Sequence, residues 1–260
     1  GYAGAFPAPA AAPAPDAWLH LDASDTNSLT LVESGGTRYV QAWADVRTNG
    51  LYTYAPFAKN RPALKTGSSF PHVDFGLLST AKTDGTLNGQ HLWWSQTNTN
   101  LRTVFLVTSD ADSGIQQNFI GSLADTLPFA RGASGLFFGS AASAYLKDGT
   151  HSLDFARVVG VSTFLPAGFH VVGLRTQGGG VKGDVFARDR DTHAGGQKLA
   201  EVLLYDRLLD DAEFAATGSY LMRKWFGAGT EQDSAVYRLK GLADTALNVG
   251  AGRTLSCKTA

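Results

Sequence analysis

The stretch GGQKLAEVLLYDRLLDDAEFAATGSYLMRKW, Gly195–Trp225, decides the fold of this chain. Its first part, Leu199–Tyr205, is an apolar run interrupted only by Glu201, which is typical of a buried β-strand. Asp210 is placed as a helix N-cap, and Glu213 three residues later completes a capping box. The stretch therefore predicts a strand, a tight corner and one short helix.

The helix has one apolar face. Three large apolar residues after the cap recur at helical spacing, and we expect them to be buried: Phe214, Leu221 and Trp225. Arg223 and Lys224 lie in the predicted last turn, where cations interact favourably with the helix dipole. Gly227 follows as the predicted end of the helix.

The rest of the chain has the composition of an all-β protein. It holds 260 residues, 30 of them glycine, with 43% hydrophobic residues and a formal charge of −1. Short β-prone segments and turn signals alternate about every ten residues, and Thr103–Thr108 is nearly continuous in apolar character. These patterns predict a two-sheet antiparallel β-sandwich with one short helix near its C-terminus.

Charge and hydropathy also indicate which classes of partner this chain is not expected to bind. The near-neutral balance gives no basic footprint, so we expect neither nucleic acid nor an anionic lipid surface as the main partner. No segment approaches the roughly 18 apolar residues of a membrane helix, so no membrane insertion is predicted. Cys257 is the only cysteine, which excludes an intrachain disulfide and a cysteine-rich zinc site.

Composition divides the chain into three parts. Residues 1–16 are rich in proline and alanine and are interpreted as a linker, with a disordered processing remnant as the alternative. Residues 17–227 form the predicted domain. Residues 228–260 contain three short β-prone pieces, which either pack back on the sandwich or begin a following module.

Besides the closing stretch Gly195–Trp225, several segments of the chain belong to one recognisable pattern: Trp18–Asp25, Trp43–Asp45 with Thr48–Gly50, Arg61-Pro62, Val73–Gly76 and Thr103–Val107. Together these segments resemble bacterial laminin-G-like, concanavalin A-like lectin and glucanase jelly-roll domains. The closing stretch is the most specific, and Val46-Arg47-Thr48 departs from the more usual Lys-Ser-Gly-like turn.

The resemblance implies two curved antiparallel sheets in a jelly roll, whose concave face often holds a saccharide. It also implies a non-catalytic module of a secreted or surface-attached bacterial protein. Because this fold also hosts glycosidases, lyases and structural modules, the function must be argued from the site.

The glutamates give little support for glycoside hydrolysis. A retaining glycosidase needs two carboxyl groups about 5–5.5 Å apart. The chain has only Glu33, Glu201, Glu213 and Glu231, and none has a partner carboxylate two or four residues away in a convincing strand. Gln90-His91 lacks the spacing of a lyase motif, so His91 is interpreted as a loop residue or a satisfied core histidine.

Four aspartates are the candidate ligands for calcium, which prefers several loop oxygens. They form two pairs in segments predicted to be loops: Asp110 with Asp112, and Asp189 with Asp191. The local sequence favours the alternative over a calcium site: the four aspartates are then solvated turn residues whose carboxylates accept backbone hydrogen bonds.

Aromatic and amide side chains are the candidate ligands for saccharide. They lie in two clusters: Trp93, Trp94, Gln96 and Asn98, and Tyr52 with Tyr54. Neighbouring strand residues point to opposite faces, so one of Trp93 and Trp94 is expected in the core, whereas Tyr52 and Tyr54 share a face.

The sequence therefore predicts a non-catalytic, lectin-like carbohydrate-binding module of a secreted or cell-surface protein, whose partner is a glycan or polysaccharide. Two alternatives stay open. One is a structural or adhesive module that binds protein or assembles through its termini. The other is a polysaccharide-degrading enzyme on the same fold.

Overall fold

A computed structural model describes residues 12–67, 70–110, 117–124, 129–131, 143–155, 157–158, 165–190 and 192–227. The described strands are β1 (Leu19–Asp22), β2 (Leu29–Ser34), β3 (Thr37–Ala44), β4 (Tyr52–Tyr54), β5 (Ala63–Lys65), β6 (His72–Asp74), β7 (Lys82–Thr83), β8 (Thr86–Leu87), β9 (Leu92–Leu101), β10 (Thr103–Asp110), β11 (Gln117–Gly121), β12 (Phe129–Arg131), β13 (Thr150–Leu153), β14 (Arg157–Val158), β15 (His170–Arg175), β16 (Val181–Phe186) and β17 (Gln197–Tyr205). The α-helices are α1 (Ala144–Lys147) and α2 (Asp211–Phe226), and 3₁₀ turns lie at Thr26–Ser28 and Ala58–Asn60.

Fifteen strands form one antiparallel sheet that folds over on itself. The strand order is β12-β11-β16-β9-β4-β3-β5-β6-β17-β10-β15-β13-β14, with β1 added beside β17 and β2 beside β3. The short strands β5 and β6 connect the two layers, so the sandwich is one continuous curled sheet. The prediction of an all-β antiparallel sandwich with a short C-terminal helix is confirmed.

The larger core lies between the two layers. It joins Trp43 and Trp94 from the β3–β9 layer with Leu106 and Val202 from the β10–β17 layer. Trp43 is fully buried, and Trp18 packs on this core from its edge. Burying such large apolar side chains supplies the main favourable free energy of the sandwich.

A smaller core lies on the other face of β17 and β10, under α2. Phe214, Leu221 and Trp225 are buried there, as the helical spacing predicts. Asp210 and Glu213 form the predicted capping box at the start of the helix. Gly218 brings α2 close to the ring of Phe155, because a Cβ at this position would lie 2.3 Å from that ring.

Asp45 organises the loop after β3 and closes the free edge of β1. Its carboxylate accepts hydrogen bonds from the backbone N–H of His20 at 2.8 Å and of Arg47 at 2.7 Å, and from the Asn49 amide at 3.1 Å. The loop then ends at Gly50, whose φ of 83° favours glycine. This loop is one of the segments that carry the family resemblance.

The last residues of the predicted N-terminal linker contact the domain. The Ala14 N–H donates to Thr217 Oγ1 at 2.9 Å, and the Tyr205 hydroxyl donates to the Ala14 carbonyl at 2.9 Å. Residues 1–11 and the predicted tail 228–260 lie outside the described residues. No helix in the described ranges has the length and apolar character needed to cross a membrane.

A buried carboxylate joins β1, β17 and α2. Glu201 is fully buried in β17, and its oxygens lie 2.8 Å from His20 Nε2, 2.6 Å from Lys224 Nζ and 2.6 Å from Trp225 Nε1. Lys224 also lies 2.5 Å from the carboxylate of Asp22. The sequence predicts that Lys224 interacts favourably with the helix dipole. The structure shows that it also neutralises the carboxylates of Glu201 and Asp22.

The pKa values of this cluster follow from its geometry. Burial alone would raise the pKa of Asp22, but the charge and hydrogen bond of Lys224, with hydrogen bonds from Ser24, outweigh it and lower that pKa. Burial alone would lower the pKa of Lys224, but Glu201 and Asp22 outweigh it and raise that pKa. Both shifts favour the charged forms in the folded state.

Replacing Lys224 with methionine is expected to destabilise the fold by about 2 kcal/mol, because it leaves buried Glu201 without its lysine partner. We expect a smaller loss of stability than for a fully buried ion pair, since the Lys224 side chain is 24% exposed and the Trp225 Nε1–H still donates to Glu201. The measurement is urea unfolding at neutral pH. Lys147→Met is the matched control, and an equal loss of stability in both variants would contradict this role.

The same cluster predicts how stability depends on acid. Because the folded-state pKa of Asp22 lies below 3.8, its stabilisation is present above that value and is lost as the pH falls through the lowered pKa. In Lys224→Met, burial is no longer outweighed by the lysine, so we expect a smaller loss in acid. Urea midpoints measured from neutral pH to about pH 2 test this difference. Parallel profiles for the two proteins would contradict it.

Candidate functional site

Three aromatic side chains lie together on the outer side of β4 and β9. We call them the aromatic face: Tyr52, Tyr54 and Trp93. The ring centroids of Tyr52 and Tyr54 are 5.9 Å apart, and those of Tyr54 and Trp93 are 6.2 Å apart in an edge-on arrangement. The two strands are in register there, with Tyr54 opposite Trp93.

Strand alternation explains why these rings point away from the core. The intervening pair, Thr53 and Trp94, is directed into the sandwich and is buried. Tyr52 is 44% exposed, and Tyr54 and Trp93 are partly exposed. The backbone N–H of Tyr52 donates to Ser95 Oγ at 3.1 Å, which ties this end of β4 to β9.

A buried histidine and an arginine support the Trp93 ring from the side. His91 Nδ1 lies 2.9 Å from the Gly89 carbonyl, which can only accept, so Nδ1 carries the proton. In the neutral ring Nε2 is then an acceptor, and it receives a hydrogen bond from Arg188 Nη1 at 3.1 Å. The Arg188 guanidinium carbon lies 6.0 Å from the Trp93 ring centre, at the outer limit of a cation–π contact.

His91 stays neutral in this position. Its burial, together with the positive charges of Arg188 and Lys59, lowers its pKa to about 4 despite the opposing hydrogen bond to Gly89. The interpretation of His91 as a satisfied core histidine fits this geometry. Its contact with Arg188, 97 residues away, could not be read from the sequence.

The other residues predicted beside Trp93 lie apart from the aromatic face. Trp94 is in the core, with its ring centre 4.8 Å from that of Phe186 and 5.5 Å from that of Trp18. Asn98 is also buried, and its Oδ1 accepts the Asn100 N–H at 2.8 Å within β9. Gln96 is exposed further along β9. Trp94 and Asn98 are therefore left out of the candidate site.

Two of the four aspartates predicted as calcium ligands lie in described segments. Asp110 is the last residue of β10, opposite Gln197, and not in a loop as the sequence interpretation had it. Asp189 accepts hydrogen bonds from the backbone N–H of Thr192 and His193 at 2.6 and 2.9 Å. Asp112 and Asp191 lie outside the described residues.

Asp189 behaves as a turn residue. Burial alone would raise the pKa of its carboxyl, but hydrogen bonds from Thr192 and His193 outweigh it and lower the pKa. Its oxygens are thus occupied by its own loop. In the described ranges, no group of three or more His, Cys, Asp or Glu side chains is arranged to hold a metal ion.

One carboxylate pair is brought together that the sequence interpretation missed. Asp22 and Glu201 are opposite each other in β1 and β17, and both contact Lys224 Nζ. Glu201 is fully buried beneath α2, so this pair faces a lysine and not open solvent. The sequence signal was Glu201 itself, a single charge inside an otherwise apolar strand.

The chain matches no protein-family model, no curated protein and no solved structure. A proposal of function therefore depends on the geometry of the aromatic face and on the residues quoted from the sequence.

His91 predicts a specific pH dependence. We expect its NMR titration midpoint near pH 4 instead of 6.5. Because the unfolded chain takes up this proton first, stability should fall by roughly 3 kcal/mol as the pH decreases through that interval. The His91→Gln variant should lack this part of the pH dependence, whereas a wild-type midpoint near 6.5 would contradict the buried, neutral assignment.

Proposed function

We propose that this chain is a non-catalytic carbohydrate-binding module that holds a glycan against the aromatic face. The observation that carries the proposal is the contact of Tyr52, Tyr54 and Trp93 on the outward side of β4 and β9. Sugar rings have apolar faces edged with hydroxyl groups. Partly exposed aromatic rings offer an apolar surface for such faces, and the tyrosine hydroxyls offer hydrogen bonds.

The rigidity of the aromatic face supports binding. Trp93 is flanked by Tyr54 on one side and by the Arg188–His91 pair on the other. Tyr52 is fixed through its backbone to Ser95. Rings that are already held in place lose little conformational entropy when a ligand binds, so more of the contact free energy remains as affinity.

The placement of carboxylates supports binding over hydrolysis. Glycoside cleavage needs an acid and a nucleophile or base that reach the glycosidic bond. The Asp22–Glu201 pair belongs to the opposite layer, lies beneath α2 and is bridged by Lys224. Glu213 is engaged by Arg207 at 2.8 Å and by the helix cap.

The curled antiparallel sheet is compatible with the jelly roll that the family resemblance implies. We therefore extend the proposal to a laminin-G-like, concanavalin A-like module that acts in a secreted or cell-surface bacterial protein. The finer family assignment rests on the quoted sequence segments, above all on Gly195–Trp225.

Replacing Trp93 with alanine is expected to weaken glycan binding about tenfold or more, because it removes the largest ring of the aromatic face. Binders are first identified on a glycan array with the wild-type protein, and affinities are then measured by isothermal titration calorimetry. Trp93→Phe keeps an apolar ring and should retain part of the affinity.

Tyr145→Ala is the matched control, because Tyr145 is 48% exposed but lies on α1, where its ring is next to Gly178 and Gly179 and not among the rings of the aromatic face. Its glycan affinity should equal that of the wild type. Far-ultraviolet circular dichroism checks that each variant is folded. If the wild-type protein binds no glycan at millimolar concentration, the proposed function is wrong.

A further inference from the structure

The three rings of the aromatic face do not lie in one plane. The plane of Tyr52 is inclined by 49° to that of Tyr54, and the plane of Tyr54 is inclined by 71° to that of Trp93. A sugar ring that stacks face to face on one of these rings is therefore steeply inclined to its neighbours. A flat ligand can stack on only one of the three rings at a time.

The surface beside the rings is stepped as well. Ala44 and Ala42 of β3 are opposite Tyr52 and Tyr54, so the two tyrosine rings rise next to two methyl groups on the same face of the sheet. Both alanines are half-buried. The aromatic face is therefore a ridge beside a lower strand, and not part of a broad flat surface.

Neighbours on the far side of Trp93 hold its ring in the inclined position. Val185 of β16 is directly opposite Trp93 and is fully buried. The ring centre of His91 lies 6.5 Å from that of Trp93. Rotating the Trp93 ring into the plane of Tyr54 would disturb these contacts and the edge-on contact with Tyr54 itself. We therefore expect the tilt to persist when a ligand binds.

The spacing of the rings suits consecutive sugar residues of one chain. The ring centroids are 5.9 Å apart between Tyr52 and Tyr54 and 6.2 Å apart between Tyr54 and Trp93, which is close to the length of one pyranose residue in a polysaccharide. Tyr54 is the middle ring, because Tyr52 lies two residues away in β4 and Trp93 lies opposite in β9. A chain that turns between residues can place one sugar on each ring.

We propose that the ligand is a single glycan chain in solution, with three successive sugar residues on Tyr52, Tyr54 and Trp93, and not the flat surface of a crystalline polysaccharide. This inference rests on the proposed function, because it names the class of glycan that the aromatic face binds. In a crystal, chain packing keeps neighbouring sugar rings nearly coplanar, so only one ring of the aromatic face is reached. A separate chain rotates about its glycosidic bonds and follows the tilts.

The physical form of the polymer gives the first test. Microcrystalline cellulose and crystalline chitin are incubated with the wild-type protein, and its depletion from the supernatant is measured. Soluble glucans, xylan, galactomannan and the binders found on the glycan array are tested by affinity gel electrophoresis. We expect retardation by at least one soluble glycan and no depletion by either crystalline polymer.

The number of sugar residues gives the second test. Oligosaccharides of two to five residues from the soluble glycan that binds are compared by isothermal titration calorimetry. Affinity should rise roughly fivefold from two to three residues, because the third sugar gains a stacking partner, and then stay within about twofold. In Tyr52→Ala, the trisaccharide should bind only as tightly as the disaccharide, which keeps Tyr54 and Trp93.

Tyr145→Ala is again the matched control and should equal the wild type at every chain length. The inference is overturned, and the proposed function is kept, if a crystalline polymer depletes the wild type but not Trp93→Ala. The same conclusion follows if Trp93 is needed for binding but the disaccharide already binds with full affinity, or if Tyr52→Ala weakens the disaccharide and trisaccharide equally. Binding that is unchanged in Trp93→Ala, or absent for every glycan, contradicts the proposed function and this inference together.

Discussion

The fully buried carboxylate of Glu201 is the constraint on which the arrangement of this molecule depends. An uncompensated charge at that position would cost several kcal/mol, so its partners must be delivered with accurate geometry. They come from two other elements: His20 from β1, and Lys224 and Trp225 from the last turn of α2. The cluster therefore fixes both the first strand and the helix against β17.

The docked helix determines which surfaces remain open. α2 covers the outer face of the β10–β17 layer, whereas the candidate binding residues lie on the outer faces of β4 and β9 in the other layer. The register of β4 against β9 then determines which of Trp93 and Trp94 faces outward. Pairing of Thr53 with Trp94 directs that tryptophan inward, and a shift of one residue would exchange the two faces.

Local patterns made the helix predictable from the sequence. The capping box at Asp210 and Glu213 and the apolar spacing of α2 depend on residues a few positions apart, and all were confirmed. The hairpin between β2 and β3 also depends on residues close in sequence, and Gly35 and Gly36 have positive φ in its turn. The shared face of Tyr52 and Tyr54 also follows from alternation within a single strand.

The remaining features depend on pairs of residues that are distant in the sequence. His20 and Glu201 are 181 residues apart, and His91 and Arg188 are 97 apart. A strand pattern shows which residues share a face but not which strand lies beside it, so Asp22 and Glu201 could not be paired from the sequence.

His91, beside the aromatic face, keeps its neutral charge state in mild acid although the stability of the fold changes there. His91 takes up its proton only near pH 4, so the charge beside Trp93 is constant over the interval in which an ordinary histidine titrates. Over that same interval the unfolded chain gains the proton and the fold loses stability. Mild acid should therefore weaken the scaffold while the charge of the aromatic face stays the same. A loss of glycan binding in mild acid would then reflect unfolding and not titration of the aromatic face.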